Sequence, residues 1–319
     1  EFDVRLNPQS HERIDRAQTI SFTFDGKIVE GFLGDTFGSA LFASGQRIFS
    51  RSFKYHRRRG LLCCSGHCPN CQMTVDGIPN VRVCTTPIRQ GAVVKPQNVV
   101  GSLQRDLMAV TDKLGGPFTP PGFYYKTFIR PRKLWPLYEK VLRNAAGLGK
   151  LDRHGAREER VDVEYRHVDT VVVGGGPAGL EAALDAARQG RSVIVVEEGP
   201  EAGGSLLADR EGIAVARELA ARARQAGVEI LAPAIAIGLF EQGLVPVAHG
   251  NLLLKIRAHD VVVAGGVVEQ PLVFGGNDLV GVMLPDAVRR LVNYWSLKPG
   301  ERAVVLTVDD RGLRAADDL

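Results

Sequence analysis

Four of the five cysteines in this chain lie within nine consecutive positions, and the fifth follows thirteen residues later. Three of them have the spacing C-x4-C-x2-C (Cys63, Cys68 and Cys71). This is the plant-type arrangement that holds a [2Fe–2S] cluster, with a fourth thiolate arriving from elsewhere in the chain. Cys84 stands at the end of a second hairpin and supplies that thiolate. The sequence therefore predicts a cluster held by Cys63, Cys68, Cys71 and Cys84.

Cys64 is the spare thiol in this reading. The alternative, with Cys64 as a ligand and Cys63 free, stays open. A structural zinc site usually needs two C-x2-C knuckles, and this chain has one. A redox pair formed by Cys68 and Cys71 would leave three thiols unexplained. A Rieske-type centre needs two histidine ligands, so we expect His67 to face solvent or a partner.

The elements around the cysteines must hold this loop in place. Apolar residues alternate in TISFTFDGKIVEG, which predicts a β-hairpin turning at residues 25–26. A short helix should start at Asp35 or Thr36 and stop at Gly45. A second hairpin, MTVDGIPNVRV, should turn at residues 76–77. Hairpin, helix, cysteine loop and hairpin together describe a β-grasp ferredoxin-like domain.

A second chemical signal is the run GGGPAG at residues 174–179. It fits G-x-G-x-x-G between a strand (Thr170–Val173) and a helix, and an acidic residue ends the next strand. The pattern indicates a dinucleotide site, because the glycines allow close approach of a pyrophosphate to a helix N-terminus. A carboxylate there disfavours NADP against NAD or FAD. The motif does not choose between those two, and a vestigial unit without ligand stays open. The expected binding residues are Gly174, Gly176, Pro177, Ala178, Gly179 and Glu197.

The remaining chain continues in an α/β pattern, with strands expected near 228–231, 260–264 and 302–308. A second nucleotide unit should begin near residue 301, but Asp309 and Asp310 stand where glycines would cradle a phosphate. Their charge would repel it, so we predict a degenerate second site. The chain stops inside this unit, which we therefore expect to be incomplete at its C-terminus.

The length of 319 residues suggests two domains. We predict an α/β protein with an N-terminal α+β part: a β-grasp [2Fe–2S] domain (1–114), an aromatic and basic connector (115–165) and a Rossmann-like FAD/NAD(P)-binding domain (166–319). The connector should hold one helix near 134–146, and its bulky residues should pack on a neighbouring domain or a partner chain. Those residues are Phe123, Tyr124, Tyr125 and Trp135.

Composition narrows the possible functions. The net charge of +4 is too mild to indicate nucleic-acid binding, and no apolar run reaches the roughly 18 residues of a membrane span. Five clustered cysteines do not suit a closed disulfide framework, so we expect a reducing, cytoplasmic location. One window, residues 47–59, holds six Lys or Arg and no acid. It suits contact with a flavin phosphate or an acidic partner, or it is simply a solvated face.

Several segments in order resemble one family. The chain is similar to the α subunits of heteromeric sarcosine-oxidase-like amine and imino-acid oxidases and dehydrogenases, of the [2Fe–2S] type that includes opine oxidases, proline and hydroxyproline dehydrogenases and hydrogen cyanide synthase. The resemblance covers nearly the whole chain. The segments that carry it are RSFKYHRRRG (51–60), GHCPNCQMTVDGIPNVRVC (66–84), GFYYKTF (122–128), GGGPAGLEAA (174–183) and EEGPEAGGSLL (197–207).

The resemblance implies a division of labour. A partner β subunit would carry FAD and oxidise the C–N bond, this chain would bind a dinucleotide, and FMN would sit at the subunit interface. Gly203 and Gly204 would join the dinucleotide site. A further small subunit and an acceptor (O2, a quinone or a redox protein) are also implied, and a peripheral position at the inner membrane face stays open. No substrate-oxidising residue is expected in this chain. Two alternatives remain: a self-contained NADH-dependent ferredoxin-type reductase, and a non-catalytic or redox-sensing scaffold.

Overall fold

The computed structural model describes residues 4–114, 130–145, 149 and 161–319. The predicted packing of Phe123, Tyr124 and Tyr125 falls outside these ranges. Two large sheets and one small strand pair organise the described residues.

The first sheet has five strands in the order β2-β1-β7-β5-β6. Strand β7 runs parallel to β1 and antiparallel to β5, so it joins the two hairpins into one mixed sheet. A two-stranded ribbon, β3 and β4, precedes the cysteine loop. The strands are β1 Asp15–Phe24, β2 Lys27–Leu33, β3 Ser50–Arg51, β4 Arg58–Arg59, β5 Gln72–Val75, β6 Ile78–Arg82 and β7 Val93–Lys95.

Both predicted hairpins are confirmed, with their turns at the predicted dipeptides. Asp25 and Gly26 have φ values of 48° and 80°, and Asp76 and Gly77 have 50° and 83°. Two successive residues with positive φ form the turn whose twist matches the flanking strands, and Asp-Gly adopts it at low cost. The second hairpin brings the chain back from the cysteine loop to Cys84.

Helix α1 (Phe37–Ala43) lies against the first sheet and is almost wholly buried. Its N-cap is Thr36, whose hydroxyl accepts a hydrogen bond from the Ser39 amide, with a reciprocal bond from the Thr36 amide to Ser39. Asp35, the other predicted cap, instead pairs with Arg5 at 2.5 Å and accepts from Ser39. This capping box fixes the start of a helix that is too short to be stable alone.

The second sheet has six strands in the order β10-β9-β8-β13-β12-β11. The first four are parallel to one another, β12 pairs antiparallel with β13, and β11 pairs antiparallel with β12. The βαβ unit predicted around the Gly-rich turn is confirmed by the parallel pairing of β8 with β9. The strands are β8 Asp162–Val173, β9 Val193–Val196, β10 Glu229–Leu231, β11 Ile235–Ala236, β12 Leu244–His249 and β13 Leu252–Val263.

Helices cover the second sheet and continue to the end of the chain. After α1, the α-helices are α2 Val110–Leu114, α3 Trp135–Ala145, α4 Pro177–Arg188, α5 Gly212–Gln225, α6 Pro285–Arg289 and α7 Asp310–Asp318. The helix predicted in the connector is present as α3. A π-helical turn, Arg290–Tyr294, follows α6 directly.

The strand expected at 302–308 is wrong, because the structure has no strand there. The segment is apolar enough, but a strand needs a hydrogen-bonded neighbour, and no described strand pairs with it. Val304 and Val308 are 97% and 85% exposed as a result. Asp309 caps the following helix α7 by accepting a 3.1 Å hydrogen bond from the Arg311 amide. A carboxylate thus occupies the helix N-terminus at which a second phosphate would have bound.

One hydrophobic core joins the first sheet to residues late in the chain. Phe22, Phe37 and Leu41 belong to the same buried cluster as Leu291 and Tyr294. Backbone hydrogen bonds of 2.8 Å also connect residues 4–13 with residues 294–298. The ferredoxin-like part and the nucleotide-binding part are therefore packed together through the segment around the π-turn.

Candidate functional site

The cysteine loop crosses between β4 and β5 without regular structure. All five cysteines are free; Cys68 is half-buried and the other four are buried. The thiols shift one another's pKa values, Cys63 through Cys68 and Cys84, and Cys71 through Cys84. The structure thus brings the four predicted ligands into one connected group.

The thiol pKa values in this group move in opposite directions. Hydrogen bonds from neighbouring thiols lower the pKa of Cys63 and of Cys71, whereas the same bonds raise the pKa of Cys68 and of Cys84. Without metal, the protein can stabilise some thiolates only by keeping others protonated. Four thiolates so close together need a compensating cation.

The donor set fits a two-iron centre. A [2Fe–2S] cluster takes two thiolates at each iron. The interactions connect four thiols in one series, from Cys68 through Cys63 and Cys84 to Cys71, which is the number that two irons need. Among the described residues, no group of three or more His, Cys, Asp or Glu side chains is placed to hold a single metal ion.

Cys64 stands apart from these contacts, with a positive φ of 48°. Burial is the first cause that raises the pKa of its thiol, followed by repulsion from Cys63 and Cys71. A buried, protonated thiol behaves as a small apolar side chain. The geometry supports its description as the spare cysteine, and the choice of ligands remains a prediction.

Neighbouring elements hold the loop on both sides. The Ser50 hydroxyl donates a 2.7 Å hydrogen bond to the Asn70 carbonyl. The Val83 amide donates to the Cys71 carbonyl at 3.3 Å, and the Gly38 amide donates to the Val83 carbonyl at 2.7 Å. The ribbon, the second hairpin and helix α1 therefore fix the two ends of the cysteine group.

The basic window beside the loop is mostly engaged within the chain. Arg51 is buried and donates to the carbonyls of Leu103 and His56. Arg57 pairs with Asp112 at 2.7 Å. These two arginines make contacts within the chain and do not form a free basic surface.

The Gly-rich turn links β8 to α4 in the predicted manner. Gly174 has a φ of 106°, and a Cβ there would lie 2.3 Å from the Ala264 carbonyl oxygen. A Cβ on Gly179 would lie 1.9 Å from the Gly174 carbonyl oxygen. Neither position accepts a side chain, because strand, turn and helix are in direct contact.

The start of α4 is open to an anion. Gly176 is the N-cap and makes no side-chain capping bond, and Pro177 occupies the first turn. Only Gly204 comes within 4 Å of a Cβ built on Gly176, at 3.8 Å. A diphosphate could approach the backbone of this turn, as the sequence predicts. The residues present fit a dinucleotide.

Glu197 directly follows β9 and lies across this turn. One carboxylate oxygen accepts a 2.7 Å hydrogen bond from the Gly175 amide, and the other accepts a 2.6 Å bond from the Gly199 amide. Each oxygen keeps a lone pair for a ribose hydroxyl. The carboxylate therefore organises the turn and remains able to bind a sugar.

Gly203 and Gly204 complete the cradle. The Gly203 amide donates a 2.8 Å hydrogen bond to the Gly175 carbonyl. A Cβ on Gly204 would lie 2.8 Å from the Cα of Gly176, so the two backbones touch.

A single cavity of about 880 Å³ connects the two sites. From the cysteine loop it is lined by Cys63, Cys64, Cys68 and Cys84, and from the nucleotide side by Gly174, Gly176, Pro177, Ala178, Glu197 and Gly204. Cys71, Gly179 and Gly203 lie behind this surface. The cysteine loop and the Gly-rich turn, more than 100 residues apart in sequence, thus face one space.

The third wall of the cavity comes from residues that sequence reasoning missed. They are Arg289, Arg290, Tyr294 and Trp295, from α6 and the π-turn. Tyr294 donates a 2.6 Å hydrogen bond to Glu201, which also pairs with Arg13 at 3.2 Å. No motif marks this segment, and only its mixture of arginine and aromatic residues sets it apart.

Within the described ranges, every helix is too short or too polar to cross a lipid bilayer.

Two family profiles match the parts of the chain that contain the two candidate sites. A family profile described as "2Fe-2S iron-sulfur cluster binding domain" matches residues 17–99. A second profile, "FAD dependent oxidoreductase", matches residues 169–229. The first match contains all five cysteines, and the second contains the Gly-rich turn and Glu197.

The similarity to curated relatives covers nearly the whole chain. The chain is 39% identical to sarcosine oxidase subunit alpha of Rhizobium meliloti (strain 1021), over 96% of this chain and 33% of that protein. It is 31% identical to the same subunit of Corynebacterium sp. (strain P-1), over 96% and 30%. The chain thus spans about a third of the length of these relatives.

Among solved structures, L-proline dehydrogenase from P. horikoshii has a similar fold. The TM-score is 0.64 at 24% identity, over 93% of this chain and 49% of that one.

Proposed function

This chain belongs to the family of the sarcosine oxidase α subunits, and on that premise we propose that it relays electrons within a heteromeric amine or imino-acid oxidoreductase. The substrate's CH–NH group would be oxidised on an FAD-containing partner subunit. The observation that carries the proposal is the shared cavity, which places the cysteine group and the dinucleotide turn side by side.

The chain's own residues have distinct tasks in this proposal. Cys63, Cys68, Cys71 and Cys84 hold a [2Fe–2S] cluster, and the burial of three of these thiols limits access of water. Glu197 and the Gly-rich turn bind and orient the dinucleotide. When bound, a flavin takes up two electrons at once whereas the cluster passes one at a time, so adjacent sites would allow an electron pair to be divided.

The finer parts of the complex belong to the same proposal. These are FAD rather than NAD at the first site, FMN at the interface with the partner, a small third subunit and an acceptor that is O2, a quinone or a redox protein. The match to an FAD-dependent oxidoreductase profile favours FAD. The division into residues 1–114, 115–165 and 166–319 is also proposed, with the shared core as the contact between its parts. Five free thiols support a reducing, cytoplasmic compartment.

Anaerobic reduction of the whole complex tests the relay. We would add sarcosine, L-proline or an opine to the purified complex and follow the cluster by electron paramagnetic resonance and the flavin by its absorbance. A cluster signal that grows as the flavin is bleached supports the relay. Flavin bleaching without any cluster signal would refute it.

The same preparation separates the alternatives. A self-contained reductase would form the cluster signal with NADH alone, in the absence of an amine. A scaffold or redox sensor would show no cluster reduction with either donor. Both outcomes contradict the proposed relay.

A further inference from the structure

Four arginines line the shared cavity: Arg289, Arg290, Arg311 and Arg314. Arg289 is already neutralised, because it pairs with Asp209 at 2.6 Å and with Asp318 at 2.7 Å. Arg311 and Arg314 are exposed on α7. Arg290 is the exception, being half-buried and without such a pair.

The guanidinium of Arg290 has an unused donor. Its Nη2 donates a 3.0 Å hydrogen bond to the Gly204 carbonyl. Its Nε is buried and has no hydrogen-bond partner among the described residues. No ion pair joins Arg290 to a carboxylate in the part of the chain that the structure describes. A buried charged donor without a hydrogen-bond partner destabilises the protein, unless a ligand accepts the hydrogen bond.

Arg290 stands between the two candidate sites. On one side it holds Gly204, whose backbone touches Gly176 in the Gly-rich turn. On the other side it lines the same cavity as Cys63, Cys68 and Cys84 of the cysteine loop. The guanidinium is thus hydrogen-bonded to the phosphate cradle and faces the same cavity as the cysteine loop.

The π-turn holds this arginine in place. The Trp295 amide closes the wide turn by donating to the Arg290 carbonyl at 3.1 Å. Asn293, in the same turn, donates to the Ala208 carbonyl at 3.0 Å, and Tyr294 is bound to Glu201. Single π-turns within helices occur frequently at functional sites.

We propose that Arg290 binds the diphosphate of the dinucleotide and couples occupancy of that site to the reduction potential of the cluster. This inference rests on the proposed function, because it needs both sites to be real. Without dinucleotide, the free positive charge favours the reduced, more negative cluster. A bound diphosphate neutralises this charge and lowers the reduction potential, and by linkage cluster reduction weakens dinucleotide binding.

Dinucleotide affinity is the first test. The purified complex would be freed of nucleotide and titrated calorimetrically with FAD and with NAD⁺. Arg290→Gln should weaken binding about tenfold or more, the value of a hydrogen bond between charged groups. Arg314 lines the same cavity from an exposed position, so Arg314→Gln serves as the control and should change the Kd less than twofold. Circular dichroism and iron content would verify that each variant is folded.

The cluster potential is the second test, and it is independent of turnover. Potentiometric titration followed by electron paramagnetic resonance should give a lower potential for nucleotide-loaded than for nucleotide-free wild-type complex. In Arg290→Gln the nucleotide-free potential should already be lowered, and the shift on loading should shrink. Arg290→Lys keeps the charge but loses the Nε donor geometry, so it should preserve the potential better than the affinity.

The outcomes separate this inference from the proposed function. If wild-type protein binds dinucleotide normally and Arg290→Gln has an unchanged Kd or an unchanged potential shift, the role of Arg290 is wrong and the relay stands. Wild-type complex that binds neither FAD nor NAD⁺ would overturn both.

Discussion

The backbone amide of Gly38 donates a 2.7 Å hydrogen bond to the carbonyl of Val83, the residue directly before Cys84. Helix α1 therefore fixes the position of the fourth predicted ligand. A Cβ on Gly38 would lie only 2.8 Å from the Cα of Cys84. The contact is so close that only glycine fits.

Gly38→Ala should displace Cys84. Alanine gains about 1 kcal/mol of helix propensity, but the clash with backbone should outweigh it and lower the free energy of unfolding by about 1–3 kcal/mol. The iron content should also fall, because Cys84 is a predicted ligand of the cluster. Gly275→Ala is the matched control, because a Cβ there meets nothing within 4 Å. Equal iron content and equal stability in both variants would contradict the argument.

Alanine variants of the cysteines should distinguish the cluster ligands from Cys64, which we predict not to be a ligand. Cys71→Ala should abolish iron and acid-labile sulfide, because a [2Fe–2S] cluster needs four thiolates and this change removes one of the four. Cys64→Ala should keep both, at a stability cost of about 1 kcal/mol or more for the buried sulfur. The measurement is iron and sulfide per chain. Cluster loss in Cys64→Ala together with retention in Cys63→Ala would reverse the assignment.

Glu197→Gln should loosen the Gly-rich turn. A glutamine amide must point its NH2 group at one of the two backbone amides that the carboxylate now accepts from, Gly175 or Gly199. We expect a loss of about 1–3 kcal/mol in unfolding free energy and about tenfold weaker dinucleotide binding. Glu198→Gln, at an exposed position, serves as the control. An unchanged Kd for the Glu197 variant would argue against a role in binding.

Stability should depend on acid pH through Glu201. Burial opposes ionisation of this carboxyl, but hydrogen bonds from Arg217 and Tyr294 outweigh it, so its pKa lies below the ordinary 4.5. A depressed folded-state pKa gives stability that is fully present above about pH 4.5 and is lost as the pH falls through the folded-state pKa. Denaturant unfolding of wild type and Glu201→Gln should therefore differ at pH 7 and converge toward pH 3. A constant difference across this range would remove Glu201 as the cause.

Local sequence signals predicted the parts whose structure is decided locally. The Asp-Gly turns, the Thr36 cap and the Gly-rich turn each depend on a few neighbouring residues. The strand at 302–308 failed because pairing depends on a partner elsewhere, and β-propensity says nothing about whether one is present.

The residues of the third cavity wall could not be predicted from the sequence for a similar reason. Arg290 and Tyr294 are more than 200 residues from the cysteines in sequence. Only tertiary packing brings them to the cysteine loop, and a π-turn has no sequence signature comparable to G-x-G-x-x-G. Nothing in the sequence distinguished the paired Arg289 from the unpaired Arg290.

The shared core has a consequence for how such a chain can be rearranged. Because Phe22 and Phe37 pack in one cluster with Leu291 and Tyr294, the cluster-binding part is not a portable module. Cutting it out at residue 114 would expose an apolar face and invite aggregation. Grafting it onto another protein would require the π-turn segment to be moved as well. Recombination that exchanged one part alone would separate the two halves of this core and should therefore lower stability.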